Sequence, residues 1–393
     1  MSSLYIHVPF CKTRCAYCDF YSQTSLIYIN VYVKALVREL ELQKDYLDGD
    51  AIETIYWGGG TPSLLQTDDF ALVFNAINRY YDASSCLEIT LEANPDDITE
   101  AYLTDLRKLP FNRISLGVQS FNDNDLRLLN RRHTADQAIK AVSLCQQAGY
   151  ENLSIDLIYG LPGQTPSMWE ENLDKALRLN IPHLSAYHLS YEEGTVMYQQ
   201  LNAGMIEPAN EETGVLLFDI LIDKLEAAGY LHYEISSFCQ PGYFSRHNTA
   251  YWTDRKYLGV GPAAHSYNHH SRQWNIASLQ EYIEGITKED QSLPLKGVGG
   301  YREFTVQDSR FFEKEWIDEK TRYNDYIMTR LRTMWGIPQS SFLEIFGRHQ
   351  MDDLLQRIKP YRQNGMIEQD DNKLKITRKG WFVADGIIRN LMK

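Results

Sequence analysis

The first 23 residues read MSSLYIHVPFCKTRCAYCDFYSQ, and in them an apolar run, SLYIHV (residues 3–8), delivers the chain into a loop holding Cys11, Cys15 and Cys18. A short apolar run that ends in a polar, cysteine-bearing loop has the form of a buried strand whose C-terminal end carries chemistry. The same form recurs. ETIYWGG (53–59), CLEITLEAN (86–94), NRISLGVQ (112–119), NLSIDLIYG (152–160) and HLSAYHLSY (183–191) are strand-like. Amphipathic stretches such as YVKALVRELELQKDYL (32–47), TADQAIKAVSLCQQAG (134–149) and SMWEENLDKALRL (167–179) lie between them. Six strands with helical links predict repeated βα units and a parallel sheet buried on both faces. A further helix, ETGVLLFDILIDKLEAAGY (212–230), follows the sixth strand. Six units are too few for a closed eightfold barrel, so the expected fold is α/β, an open partial (β/α)6 barrel, with an open sheet as the alternative. In either case the loops after the strands' C-terminal ends hold the chemistry.

The pattern changes near residue 240. CQPGYFSRHNTAYWTDRKYLGVGPAAHSY (239–267) is rich in aromatic residues and glycine, and QSLPLKGVGGYR (291–302) has the composition of a linker. EKTRYNDYIMTRLRTMWG, MDDLLQRIKPYRQ and GWFVADGIIRNLM read as helices, with two short strand-like runs around a turn in GMIEQDDNKLKIT (365–377). The expected organisation is a core barrel over 1–240, an extension over 241–300, and a smaller C-terminal helical, winged-helix-like domain over 301–393.

Composition narrows the function. The 393 residues carry a net charge of −13, which argues against nucleic acid and anionic lipid as partners, winged module notwithstanding. No run approaches the roughly 20 apolar residues of a transmembrane segment, and no cationic stretch with a cleavable apolar core opens the chain, so a cytoplasmic location is expected. Six cysteines are too sparse for a disulfide scaffold. Cys86, Cys145 and Cys239, placed in a strand, a helix and a loop, have no partners at ligand spacing and read as small buried hydrophobes.

Cys11, Cys15 and Cys18 differ. Spaced C-x3-C-x2-C on one tight loop, three thiolates can ligate three irons of a [4Fe-4S] cubane and leave the fourth iron open, the mark of a reacting rather than a scaffolding centre. A structural zinc site would need a fourth ligand. His7 lies near, but it alternates with Tyr5 along the strand, which disfavours that reading.

CKTRCAYC resembles the signature of radical S-adenosylmethionine proteins, in which the open iron is chelated by the amino and carboxylate groups of the nucleotide's methionine. Later strand ends supply matching parts in order. GGGTPS (58–63) follows strand two, where glycine lets backbone approach a ligand closely. Glu92, Gln119, Arg131 and Asp156 lie at or after the ends of strands three, four and five. The resemblance assigns carboxylates and amide to ribose hydroxyls and the guanidinium, as a fork, to the methionine carboxylate.

YIHVPFC, YWGGGTPS, LEANPDD, SLGVQSFND, LNRRH, DLIYGLPGQT, SRHNTAYW and YLGVGPAAHS resemble, along nearly the whole chain, the family of oxygen-independent coproporphyrinogen oxidase, and within it the haem-chaperone branch, the HemW type. The resemblance implies that Tyr5 and Tyr17 flank the nucleotide and that Gly59, Gly60 and Thr61 line its methionine end. Ser190 and His265 fall at further nucleotide-contacting positions, where the oxidase has residues of different type.

Two departures separate the branches. The oxidase resembles C-x3-C-x2-C-x-C, whereas Phe20 stands at the last of those positions, and the oxidase carries a long N-terminal extension where this chain has ten residues before Cys11. HNTAYW (247–252) fits the chaperone branch's HNxxYW pattern, which implies that His247 holds haem, with Tyr251 and Trp252 as flat surfaces for the macrocycle. Arg246 and Arg255 flank the motif and can pair with haem propionates, and His265, His269 and His270 are alternative ligands. The leading expectation is therefore a haem chaperone with a [4Fe-4S] cluster and S-adenosylmethionine, delivering haem to respiratory haem proteins and served by an electron donor. The rival is an enzyme of the same family, a coproporphyrinogen III dehydrogenase that attacks propionates with a 5'-deoxyadenosyl radical.

Overall fold

The computed structural model describes residues 1–289, 311–370 and 372–393. Its main sheet grows from strands with period-two alternation. In β1 (Ser2–Val8), Leu4, Ile6 and Val8 are fully buried on one face, and Ser3, Tyr5 and His7 point to the other. The apolar set packs against α1 (Ile29–Leu42), which buries Tyr32, Val33, Leu36 and Leu40. Each such Leu, Ile or Val removed from water contributes about 1.5–3 kcal/mol.

The next units repeat this division. β2 (Ile52–Gly59), β3 (Glu88–Ala93), β4 (Arg113–Gln119), β5 (Asn152–Tyr159) and β6 (His183–His188) run parallel in sequence order from β1. They are linked through α2 (Thr67–Tyr80), α3 (Glu100–Leu106), α4 (Asp123–Leu128), α5 (Ala135–Gln147) and α6 (Pro166–Arg178). Capping boxes start α2 (Gln66 with Asp69) and α5 (Thr134 with Gln137). Trp57 of β2 sits edge-on to Phe70 of α2 at 4.9 Å, sealing that layer. The sheet is buried on both faces, as expected, but only its helix-covered face is apolar. The other face carries Thr54, Tyr56, Glu92, Arg113, Ser115, Asp156 and Ser185.

After α7 (Val196–Asn202) and α8 (Glu211–Ala227) the sheet continues beyond the six predicted strands. β7 (Leu231–Glu234) and β8 (Ser237–Cys239) add an antiparallel hairpin to β6. The chain then forms α9 (Arg246–Trp252) and returns to the far side of β1, where β9 (Tyr257–Val260) pairs parallel with it. β10 (His265–Tyr267), β11 (Ser271–Asn275) and, after α10 (Leu279–Glu289), β12 (Phe312–Trp316) follow antiparallel. Twelve strands result among the described residues, with β12 and β7 at the two open edges. Strands of three to five residues, such as these last six, are too short for alternation to register. The strands of segment 241–300 thus extend the sheet itself. Cys239, expected in a loop, closes β8 and is fully buried, while Cys86 precedes β3. The linker stretch 291–302 lies outside the described residues.

A second core gathers α11 (Glu319–Leu331), α12 (Gln339–Gln363), α13 (Arg378–Trp381) and α14 (Ala384–Leu391) around Ile327, Phe342, Leu354 and Ile388. Gly347, at φ 79°, bends α12 into two helices. The expected two-stranded wing is β14 (Ile367–Gln369) against β15 (Lys373–Ile376), and β13 (Ile337–Pro338) joins it as a third strand. Among the described residues no helix is long and apolar enough to cross a membrane.

Candidate functional site

The loop after β1 is closed at its base. Gln23 donates its N–H to the Pro9 carbonyl (2.8 Å), and Cys11 donates to Gln23 (3.0 Å). The tip is pinned too: Ala16 N–H donates to the Leu129 carbonyl (3.0 Å) and Met197 N–H to the Ala16 carbonyl (2.9 Å). Ala16, 5% exposed, packs with Leu129, Ile158, Leu161, Leu189 and Met197, and Tyr17 flanks that cluster. The two residues between Cys15 and Cys18 are therefore the loop's anchor.

The loop roofs a cavity of about 420 Å³ at the strands' C-terminal ends, within the range of a nucleotide-sized ligand. Cys11, Cys15, Cys18, Tyr17, Gly59, Gly60, Thr61, Glu92, Gln119, Arg131, Asp156 and Ser190 all line it. Donors point at two sulfurs: Thr61 Oγ1 at Cys11 Sγ (3.6 Å) and Arg131 Nη1 at Cys15 Sγ (3.2 Å). Such donors favour thiolates. Burial alone acts the other way and pushes the Cys18 thiol up to about 11, so metal binding must displace a proton there. Among the described residues no three His, Cys, Asp or Glu side chains converge on a point fit for one metal ion. A cubane makes a different demand, since each sulfur takes its own iron.

Several details depart from expectation. The Arg131 fork is engaged: Nη2 donates to Asn94 Oδ1 (2.6 Å) and the Gly117 carbonyl (2.7 Å), which leaves Nε buried without a partner. Asn94, in turn, donates to Thr61 Oγ1 (3.1 Å). Gly59 and Gly60 are required by protein packing. A Cβ on Gly59 would stand 2.7 Å from the His7 ring, and one on Gly60 would stand 2.6 Å from the Phe10 carbonyl oxygen. Gln119 adopts φ +66° where the β4–β5 register slips, a strained position of the kind found at ligand clamps. Burial, partly offset by the Tyr56 hydroxyl (2.7 Å), raises the Glu92 carboxyl to about 7, and burial offset by Ser185 raises Asp156 to about 6.

The structure leaves three predicted residues outside this cavity. Tyr5 lies one layer below it, its hydroxyl 3.1 Å from His7 Nδ1 and its ring stacked on Tyr56. His265 is exposed on β10, stacked on Trp274 at 6.2 Å. His247 lies at the opposite end of the strands, where α9 plugs the barrel floor. Its N–H and that of Arg246 donate to Glu88 (2.9 and 3.0 Å), the first residue of β3. Thr54, its ring partner, sits roughly 16 Å along β2 from Gly59 at a strand's rise per residue. Arg246 and Arg255, both exposed, share Glu53 as an ion-pair partner. Sequence reasoning missed Asn94, Ser115, Gly117, Tyr187 and His188, which also line the cavity. The inward polar positions of each strand were the available signal for Ser115, Gly117 and Tyr187.

Residues 5–176 match the Radical SAM superfamily, and residues 317–383 match the HemN C-terminal domain. The chain is 36% identical to the heme chaperone HemW of Lactococcus lactis, covering 100% of this chain and 97% of that one. It is 32% identical to HemW of Bacillus subtilis, covering 98% of each. Its fold is similar to that of coproporphyrinogen III oxidase (HemN) from Escherichia coli, with a TM-score of 0.82 over 100% of this chain and 90% of that one at 21% identity. A cysteine loop roofing a cavity at the strands' C-terminal ends, on that fold and with relatives matched end to end, places the chain in the HemW family of radical SAM proteins.

Proposed function

We propose that this protein is a haem chaperone on a radical SAM scaffold, which binds a [4Fe-4S] cluster, S-adenosylmethionine and haem, and passes haem to haem-requiring respiratory proteins. The observation that carries the reading is the end-to-end likeness to HemW chaperones, including the segment that bears HNTAYW. Cys11, Cys15 and Cys18 would hold three irons, and the cluster's open iron would supply a chelation point for the nucleotide's methionine. The residues in the cavity fit that group. Glu92 and Asp156 offer carboxylates to ribose hydroxyls, Gln119 offers an amide, and the orphaned Arg131 Nε offers a buried donor to an anionic oxygen. Thr61 and Arg131 would donate to the thiolates of Cys11 and Cys15. An electron donor would serve the cluster.

Phe20 favours the chaperone over the oxidase. It lines the cavity at the position where the oxidase carries a fourth cysteine, and it is 61% exposed there. The test pairs two assays on one anaerobically reconstituted preparation in which S-adenosylmethionine binding has been shown separately. With nucleotide and reductant supplied, coproporphyrinogen III is expected to remain unconverted while added haem binds. Formation of protoporphyrinogen IX would overturn the reading in favour of the enzyme.

A further inference from the structure

Iron coordination needs an imidazole nitrogen whose lone pair faces open space. His247 has none. It is 1% exposed, with Nδ1 2.8 Å from Thr54 Oγ1 and Nε2 2.9 Å from the Tyr251 hydroxyl. The Thr54 hydroxyl donates to Ser3 Oγ (2.9 Å), so it accepts the Nδ1 hydrogen, and the Nε2 lone pair then receives the Tyr251 O–H. The ring is stacked on Tyr56 at 4.9 Å, and Tyr251 is held edge-on against Tyr257 at 4.6 Å. Around these contacts, Glu88 fixes the start of α9, and Arg330 of α11 donates to the Thr253 carbonyl (3.3 Å) at its end. The spacing of HNxxYW acquires a physical meaning. Its histidine and tyrosine stand four residues apart on one helical face, and the tyrosine caps the nitrogen that iron would need.

We infer that α9 is a latch: haem reaches His247 only when this helix parts from the barrel floor and Tyr251 releases Nε2. This inference rests on the haem-chaperone reading. It assigns Tyr251 and Thr54 as positioning residues that keep the ligand in reserve. A buried neutral hydrogen bond stabilises the closed arrangement by a factor of about five, and because it must break before the helix parts, removing one should speed opening by about that factor.

The experiment is stopped-flow mixing of ferric haem with the full chain, followed at the Soret band, for wild type, Tyr251→Phe, Thr54→Val and His247→Ala. The wild-type rate should reach a ceiling with increasing haem, because opening limits it. Tyr251→Phe should raise that ceiling about fivefold and keep the final Soret maximum, and Thr54→Val should act in the same direction and carries the test if the first variant does not fold. His247→Ala should lose the wild-type maximum. An unchanged ceiling in a folded Tyr251→Phe or Thr54→Val protein overturns the latch. A wild-type spectrum in His247→Ala overturns it too, by removing His247 from the iron. If wild type shows no saturable Soret shift at all, the chaperone reading fails and the latch falls with it.

Discussion

Glu39 of α1 is a fully buried carboxylate whose removal should change the stability of the chain in a pH-dependent way. Oε1 accepts from Asn275 Nδ2 (2.6 Å), and Oε2 accepts from the Gly261 N–H (2.8 Å) and the Tyr282 hydroxyl (2.5 Å). These bonds weld the first helix to the β9–β11 edge and to α10. Burial, offset by Tyr282, Gly261 and Asn275, raises the carboxyl to about 7 from its ordinary 4.5. Because the folded chain then holds a proton that the unfolded chain has lost, this group stabilises the fold most below pH 4.5. That contribution disappears as pH rises through 7. Between pH 5 and pH 8 the loss amounts to about 2.5 kcal/mol. Urea titration of the cluster-free chain at both pH values, for wild type and Glu39→Gln, isolates this effect. The variant should lose about 2.5 kcal/mol less than wild type over that interval. Identical pH slopes in the two proteins would refute the assignment of a protonatable, buried Glu39.

Three further outcomes follow from the same geometry. Cys11→Ala, Cys15→Ala and Cys18→Ala should each abolish the intact cluster, whereas wild type reconstituted anaerobically should hold about four irons and four sulfides per chain by elemental and sulfide analysis. Zinc in place of iron in that analysis would count against the cubane. Gly60→Ala should cost about 1–3 kcal/mol and impair cluster assembly, since its Cβ would meet the Phe10 and Val8 carbonyl oxygens at 2.6 and 2.9 Å; thermal unfolding and iron content check it. Ala16→Leu should loosen the cysteine loop in the same way, lowering iron content without touching a ligand, because Ala16 fills its site at 5% exposure.

What the sequence disclosed was mostly local. The cysteine loop and the six long strands are carried by neighbours along the chain. Gln119 ends β4 and Glu92 and Asp156 lie within β3 and β5, as the βα repeat suggests, whereas Arg131 comes from the loop after α4. The polar inner face was also written in the strands, as Thr54 and Tyr56, Arg113 and Ser115, or Ser154 and Asp156, but apolar periodicity was the signal being read. The environment of His247 was not legible. Its motif identifies a helical pair with Tyr251, whereas its burial depends on Thr54, 193 residues away, and on Glu88, 159 residues away. The same distance hides the role of Glu39, whose partners lie 222 to 243 residues further on. Glycines 59 and 60 show a subtler limit. Their spacing pointed to ligand approach, and only packing revealed that His7 and the Phe10 carbonyl already claim that space.

Titration of ferric haem into the anaerobically reconstituted full chain, read at the Soret band alongside iron and sulfide content, tests the central claim most directly. Saturation is expected at about one haem per chain with the cluster retained. Absence of a saturable shift, with the cluster intact, would contradict it and leave a radical SAM protein without a haem cargo.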